Sequence, residues 1–220
     1  MTHTTEPLTD VHDMVVVHRA FRREFTLLPV LVRAVGPGGT GRAEIVAAHA
    51  RMILKGLRLH HTSEDELLWP KLLERAAPEA ALIARMEAQH EQVGRLLERL
   101  EPALQRWRVE ARPAVTEEVA STLESLRTAL LVHLDEEERE ILPLAARHLT
   151  QAEWAELGEH GVAAMSSSEL PILFGAVLED ATAEEQAGLV VGLPLVARLL
   201  LRPVILPRYR RYARRVRAEL

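Results

Sequence analysis

One eleven-residue pattern occurs twice in the chain and restricts the fold more than any other feature of the sequence. HHTSEDELLWP spans residues 60–70, and HLDEEEREILP spans residues 133–143. Each copy begins with a histidine, has a glutamate four places later and ends with a proline six places beyond that glutamate. Because residues four apart lie on one face of an α-helix, each copy predicts a helix with an imidazole and a carboxylate on the same side.

Two further histidines, His18 and His90, extend this repeat. Each lies on the apolar stripe of a helix predicted from the 3,4 spacing of its hydrophobic residues. His18 and His90 are 72 residues apart, and His60 and His133, which begin the two copies of the pattern, are 73 apart. The sequence therefore predicts two copies of one helix pair, related by an approximate two-fold axis.

Four long helices with short connections are predicted in the first two thirds of the chain. Their ranges are 10–35, 43–76, 78–107 and 115–148, and the breaks are expected near Pro78, Pro102 and Pro113. Hydrophobic residues make up 48% of the chain and aromatic residues only 4%, which is typical of an all-helical protein. We expect an all-α fold, in which residues 1–149 form an up-down-up-down four-helix bundle.

Residues 150–220 are predicted to add short C-terminal helices and not a second catalytic domain. Thr150, Ser166 and Thr182 are each followed three places later by a glutamate, as in a capping box, so helices are expected near 151–160, 167–180 and 183–201. Their apolar content favours packing on the bundle or on a partner subunit. A less favoured alternative is that residues 202–217 lie on an anionic membrane surface.

The interior of this predicted bundle would hold four imidazoles and two carboxylates. These donors are His18, His60, Glu64, His90, His133 and Glu137. Without a cation, each buried carboxylate would cost several kcal/mol or take up a proton. Two cations would neutralise the site, and nitrogen and oxygen donors in a chain without cysteine suit iron, manganese or zinc.

Other titratable residues near these positions are predicted to lie outside the donor set. His61 and Asp65 repeat the same spacing but point about 100° away, so we expect them at the surface or behind the donors. His49 lies about 16 Å along the helix from His60 and is expected in the core. The remaining histidines and acids predicted to be solvated are His12, His148, His160, Asp135, Glu136 and Glu138.

These residues resemble the hemerythrin-like, His-His-Glu cation-binding family, especially its actinobacterial members, over residues 10–148. The resemblance rests on His18 in HRAFRREF, His90 in EAQHEQ and the two His-x-x-x-Glu pairs. It implies a non-haem centre of two iron ions, oxo- or hydroxo-bridged, that meets dioxygen, peroxide or nitric oxide. The six donors above are the ligands that it carries over.

One departure from the family bears on function. Oxygen-carrying hemerythrins have a second histidine one turn from the ligand of the third helix, whereas Met86 and Gly94 occupy those positions here. Without a five-histidine set, about two iron positions would stay open. This favours turnover of peroxide or nitric oxide, as in a catalase-like enzyme or peroxidase, over oxygen storage. A sensor of oxygen, nitric oxide or iron without turnover, and a storage or zinc-stabilised bundle, remain alternatives.

A small apolar pocket for the exogenous ligand is predicted on the side of the metals opposite the carboxylates. Glycine inside a helix costs roughly 1 kcal/mol relative to alanine, so two glycines in one layer indicate that space is needed there. The predicted lining residues are Phe21, Gly56, Leu57, Val93, Gly94, Ala129 and Leu130.

Charge and targeting patterns set the expectations for partners and location. The net charge is −5, and residues 208–220 hold six arginines and one glutamate, which leaves −10 on the remainder and argues against nucleic acid. Arginines and prolines interrupt the apolar stretch at 189–207, so we expect no membrane span. With no secretory pattern at the N-terminus, a cytoplasmic protein is expected, and a homo-oligomer is an open alternative to a monomer.

Overall fold

The computed structural model describes residues 8–193 and 195–218, and the regular elements in those residues are all helical. The first part of the chain contains, in order, α1 (His12–Arg33), α2 (Thr40–Ser63), a π-turn (Glu64–Leu68), α3 (Trp69–Arg75), a 3-10 turn (Ala77–Glu79), α4 (Ala80–Glu110), α5 (Pro113–Glu136), a second π-turn (Glu137–Ile141) and α6 (Leu142–His148). The predicted all-α fold is confirmed.

Helices α1, α2, α4 and α5 form the bundle. Contacts join α1 to α2 and α5, and α4 to α2 and α5, so each helix has two neighbours in the bundle. Their apolar stripes meet in one core, in which Phe25, Leu57, Leu100 and Leu123 are fully or almost fully buried. Proline does not end the third bundle helix, because α4 continues past Pro102 to Glu110. The helix ends three residues beyond the predicted end at residue 107.

Both copies of the repeated pattern contain a π-turn that begins at the glutamate. In the first copy the N–H of Trp69 bonds to the carbonyl of Glu64, five residues back, in place of the α-helical four. Pro70 follows this turn, and Pro143 follows the turn that begins at Glu137. A proline inside a helix lacks an N–H, and its ring clashes with the carbonyl four residues earlier. A π-turn is wider than an α-helical turn and relieves this clash.

The described residues after His148 form short helices, as predicted, with different boundaries. They are α7 (Gln151–Ala163), α8 (Leu170–Glu179), α9 (Ala183–Val191), α10 (Leu195–Leu200), a third π-turn (Leu201–Ile205) and α11 (Leu206–Val216). Reciprocal hydrogen bonds join Thr150 to Glu153 and Thr182 to Glu185, which confirms two of the predicted capping boxes. The bonds of the third box, between Ser166 and Glu169, also form, but α8 begins only at Leu170.

These C-terminal helices pack on the bundle. Helix α7 contacts α2, α8 contacts α1 and α11, and α11 also contacts α2. Helices α8 and α11 approach closely at Gly175, where an added Cβ would lie 2.4 Å from Cγ of Tyr209. Within the described residues, no helix has the length and apolar character needed to cross a bilayer.

Candidate metal centre

The six predicted donors converge inside the bundle, at the level where the two π-turns begin. Their ligand atoms fall into two groups, and within each group all the atoms lie within 4.8 Å of one another. The first group is His18, His60, Glu64 and Glu137, and the second is His61, Glu64, His90 and His133. Glu64 belongs to both groups and therefore lies between them.

Each glutamate of the centre approaches histidines from two helices. A carboxylate oxygen of Glu64 lies 3.2 Å from Nε2 of His60 and the other lies 3.4 Å from Nε2 of His90. Glu137 lies 3.4 Å from Nε2 of His18 and 3.5 Å from Nε2 of His133. The Nε2 atoms also face each other in pairs, with 3.2 Å between His18 and His60 and 3.2 Å between His90 and His133.

The donor set fits cations, because its lone pairs are otherwise unused. All four carboxylate oxygens of Glu64 and Glu137 are buried without a hydrogen-bond partner among the described residues, and so is Nε2 of His61. A buried polar atom left unbonded costs on the order of 1–3 kcal/mol, and more when it is charged. Bound cations would use these lone pairs and neutralise the carboxylates.

Burial also places protons and cations in competition for the same atoms. Burial raises the pKa of Glu64 well above its usual range, and the charge of Glu137 adds to the effect. Burial likewise raises the pKa of Glu137. The pKa values of His60 and His61 are lowered by burial and by the neighbouring imidazoles, and the pKa of His133 falls to about 2 for the same reasons. Metal binding would therefore displace protons from the carboxylates, while the imidazoles of His60, His61 and His133 are already neutral.

The residue after each repeated glutamate orients a histidine on a different helix. Asp65 lies 2.6 Å from Nδ1 of His90, and Glu138 lies 2.9 Å from Nδ1 of His18. When the carboxylate accepts a hydrogen bond from Nδ1–H, the lone pair of Nε2 is directed at the centre. Asp65 thus lies behind a donor, as expected, whereas the prediction that Glu138 is solvated is wrong. Gln89 similarly lies 3.1 Å from Nδ1 of His133.

His61 is a member of the second donor group, contrary to the prediction that it lies outside the site. Its side chain is buried, and its ring stacks on that of His90 with centroids 4.0 Å apart and planes 6° from parallel. Helix α2 packs between α1 and α4, so two adjacent residues can face two different neighbours. The repeat contained a signal for this burial that the prediction missed. Leu134 takes the place of His61 in the second copy, and an apolar residue there indicates a buried position; Leu134 is fully buried.

The predicted ligand-pocket residues are distributed between the core and the bundle surface. Four of them, Phe21, Leu57, Val93 and Leu130, are buried in the core, and the ring of Phe21 lies 5.3 Å from that of His60. Gly56 is buried, and a Cβ there would lie 3.7 Å from Leu173. Gly94 and Ala129 are half-buried, and Ala129 lines an open surface groove.

Two other histidines, His49 and His12, have partners outside the centre. His49 is buried, with Glu24 3.0 Å from its Nε2 and the hydroxyl of Tyr212 3.1 Å from its Nδ1, as expected for a core residue. His12 is exposed and lies 2.8 Å from Glu185.

Comparison with known proteins agrees with this geometry. A family model described as the hemerythrin HHE cation binding domain matches residues 9–145. The match contains all seven residues of the two donor groups and ends before α7. No curated protein matches the chain, and no solved structure matches it.

Proposed function

Because the chain belongs to the hemerythrin HHE cation-binding family, we propose that its bundle binds two iron ions and reacts there with peroxide, nitric oxide or dioxygen. The observation that supports this most strongly is the position of Glu64. This residue belongs to two groups of donors, and both of its oxygens are buried without a hydrogen bond. A carboxylate shared in this way suits a bridge between two cations.

The two ions would receive different donor sets. The first group offers two imidazoles and two carboxylates, and the second offers three imidazoles and the shared Glu64. Neither set supplies enough ligands for six-coordination, which leaves room for a small exogenous ligand. The iron pair would supply the redox chemistry, since it can exchange electrons with peroxide, nitric oxide or dioxygen.

The protein would contribute orientation and the exclusion of water. Asp65 and Glu138 hold the rings of His90 and His18 by their Nδ1 atoms. Buried apolar residues surround the centre on two sides, with Met86 and Trp69 on the side of the π-turns and Leu57 in the main core. Such a dry enclosure strengthens the interaction of the carboxylates with cations.

Metal loading followed by turnover tests this proposal. We expect the purified protein, loaded anaerobically with ferrous iron, to hold two irons per chain by elemental analysis and to absorb visible light after oxidation. Glu64→Ala should lose both irons, whereas the control His12→Ala, at an exposed position outside the centre, should retain them. Catalytic consumption of peroxide or nitric oxide would support an enzyme, and a colourless, zinc-bound protein would contradict the proposed iron centre.

A sensor without turnover is the second candidate function, and the packing of the C-terminal helices favours it. Gly56, one turn before His60 in α2, lies against Phe21, and its absent Cβ would also meet Leu173 just inside α8. Ligand binding that moves His60 or Phe21 would therefore change the packing of α8 on the bundle. Tight binding of nitric oxide or dioxygen without turnover, together with a change in hydrogen exchange over 165–175, would support this alternative.

A further inference from the structure

Residues 195–216 form one continuous helix with an unusual outer face. Helix α10, the π-turn Leu201–Ile205 and α11 follow each other without interruption, and we call them together the C-terminal helix. Its inner face is anchored to the protein, because Leu201, Tyr209, Ala213 and Val216 are buried. The outer face is open to solvent along the whole helix.

The outer face of the C-terminal helix is aliphatic in its first half. Its exposed aliphatic side chains there are Leu195 (69% exposed), Val196 (68%), Leu199 (68%), Leu200 (43%) and Val204 (48%), and Arg198 and Arg202 are exposed among them. Isolated exposed aliphatic side chains are common on proteins, but five within ten residues form an apolar patch of the kind found at interaction sites. Contact with another apolar phase would remove this patch from water.

The second half of the same face is cationic. Arg208, Arg210, Arg211, Arg214 and Arg215 are all exposed, and none forms an ion pair with a carboxylate of the described residues. Between residues 186 and 218 the sequence contains eight arginines and no aspartate or glutamate, although the whole chain has a net charge of −5. Positive charge is therefore concentrated beside the aliphatic patch.

We propose that the outer face of the C-terminal helix binds the anionic surface of a phospholipid bilayer. Its aliphatic half would enter the boundary between headgroups and acyl chains, and its arginine half would lie on the lipid phosphates. Amphipathic helices that lie in membrane interfaces combine these two features. The buried inner face keeps the helix attached to the bundle, so binding would place the metal centre close to the membrane.

Two other partners fit this face less well. Nucleic acid would be attracted by the arginines but has no surface that accepts five exposed aliphatic side chains. A second copy of the chain that bound symmetrically through the same face would bring two clusters of arginines together, and like charges would oppose the contact.

Vesicle sedimentation with the metal-loaded protein tests the proposal. The vesicles are of phosphatidylcholine, with or without about one third phosphatidylglycerol. We expect binding to the anionic vesicles that weakens in high salt and is much weaker without phosphatidylglycerol. Val196→Ser combined with Leu199→Ser should weaken binding at least about tenfold, because each serine removes apolar surface from the interface. Arg208→Gln, Arg211→Gln and Arg215→Gln together should weaken it about 100-fold.

Matched exposed positions elsewhere provide the control. Val109 and Val132 are 66% and 58% exposed on α4 and α5, and replacing both by serine should leave vesicle binding unchanged. The proposal is overturned if the protein does not sediment with anionic vesicles or if the Val196→Ser, Leu199→Ser variant binds them like the wild type. It is also overturned if that variant instead abolishes self-association measured without lipid, or if the arginines bind duplex DNA while the aliphatic changes have no effect on any ligand.

Discussion

Glu64 and His61 show how single residues give the centre its asymmetry. The two halves of the bundle repeat His18 as His90, His60 as His133 and Glu64 as Glu137, but His61 is repeated as Leu134. The second donor group therefore has a third imidazole, whereas the first group has a second carboxylate, Glu137, as its fourth donor. The two ions of the proposed pair would consequently differ in charge and in ligand field.

Replacing His61 by leucine tests this asymmetry. Leucine fills a similar volume and already occupies the equivalent buried position, Leu134, so the fold should be retained. We expect the variant to bind one iron tightly and the other at least about tenfold more weakly, because the second group loses one of its four donors. Elemental analysis after dialysis measures the stoichiometry, and two tightly bound irons with an unchanged visible spectrum would contradict the role of His61.

Outside the metal centre, the buried carboxylate of Glu24 holds the end of the C-terminal helix on the bundle. Burial opposes its ionisation, but His49 and Arg23 outweigh this effect, and its pKa is lowered to about 2. Arg217, one residue beyond α11, lies 3.2 Å from the same carboxylate. Since the folded pKa lies below the usual 4.5, this carboxylate stabilises the fold above about pH 5.

Acid should remove that stabilisation as the pH falls from about 5 towards 2. Glu24→Gln should lower the free energy of unfolding by about 3 kcal/mol at neutral pH, and the difference from the wild type should shrink as the pH falls through this range. Urea unfolding at several pH values measures this. The exposed Glu98→Gln serves as the control, and a difference that does not vary between pH 7 and pH 3 would contradict the assignment.

Among the helices, the contact between α8 and α11 depends on a position without a side chain. An added Cβ at Gly175 would lie 2.4 Å from Cγ and 2.5 Å from Cβ of Tyr209, closer than atoms can approach. The ring of Tyr209 cannot move freely, because it is buried and its hydroxyl donates a hydrogen bond to Glu179. Adding a methyl group here would therefore push the two helices apart.

Gly175→Ala should destabilise the protein by about 1–3 kcal/mol, as overpacking does elsewhere. Gly158→Ala is the matched control, because Gly158 lies inside α7 and an added Cβ there meets no atom within 4 Å. That change should stabilise α7 by up to about 1 kcal/mol through helix propensity. Opposite signs in chemical unfolding are expected, and equal effects of the two substitutions would refute the close contact.

The sequence predicted which segments are helical better than it predicted their internal geometry. The 3,4 spacing of apolar residues determines a helix and its buried face, so α1, α4 and the two runs from α2 to α3 and from α5 to α6 were predicted close to their observed ranges. The π-turns at Glu64 and Glu137 were missed, since periodicity averages over a single wide turn. Pro70 and Pro143 are the local signals for them, and Pro207 follows the third π-turn at the same distance.

The candidate site could be predicted for a similar reason and with a similar limit. Six donors followed from a repeat and from helical geometry, and all six belong to the two donor groups. A residue at the edge of a helix's apolar stripe can face either of two neighbouring helices, and the packing of the helices decides which. The sequence therefore misplaced His61 and Glu138. The positions of the C-terminal helices depend on specific contacts, such as Gly175 with Tyr209, that no periodicity reports.

At the scale of the whole molecule, the donor groups connect all four helices of the bundle. His18 comes from α1, His60 and His61 from α2, His90 from α4 and His133 from α5, while the two glutamates begin the π-turns. Cations bound between them would bind the folded chain far more tightly than the unfolded one, and such binding stabilises the fold. Without cations, burial favours the protonated form of both carboxylates.

Iron loading should therefore raise the thermal midpoint, and the increase should depend on pH. Iron at about 100 times its dissociation constant adds about 2.7 kcal/mol, or roughly 5–10 °C for a chain of this size. Because the pKa of Glu64 is raised, protons compete more strongly at pH 6 than at pH 8, and the increase should be smaller at pH 6. Scanning calorimetry with iron or with a chelator measures both values under argon. Glu64→Ala should show no increase at either pH, and an increase in that variant would mean that the stabilising iron binds elsewhere.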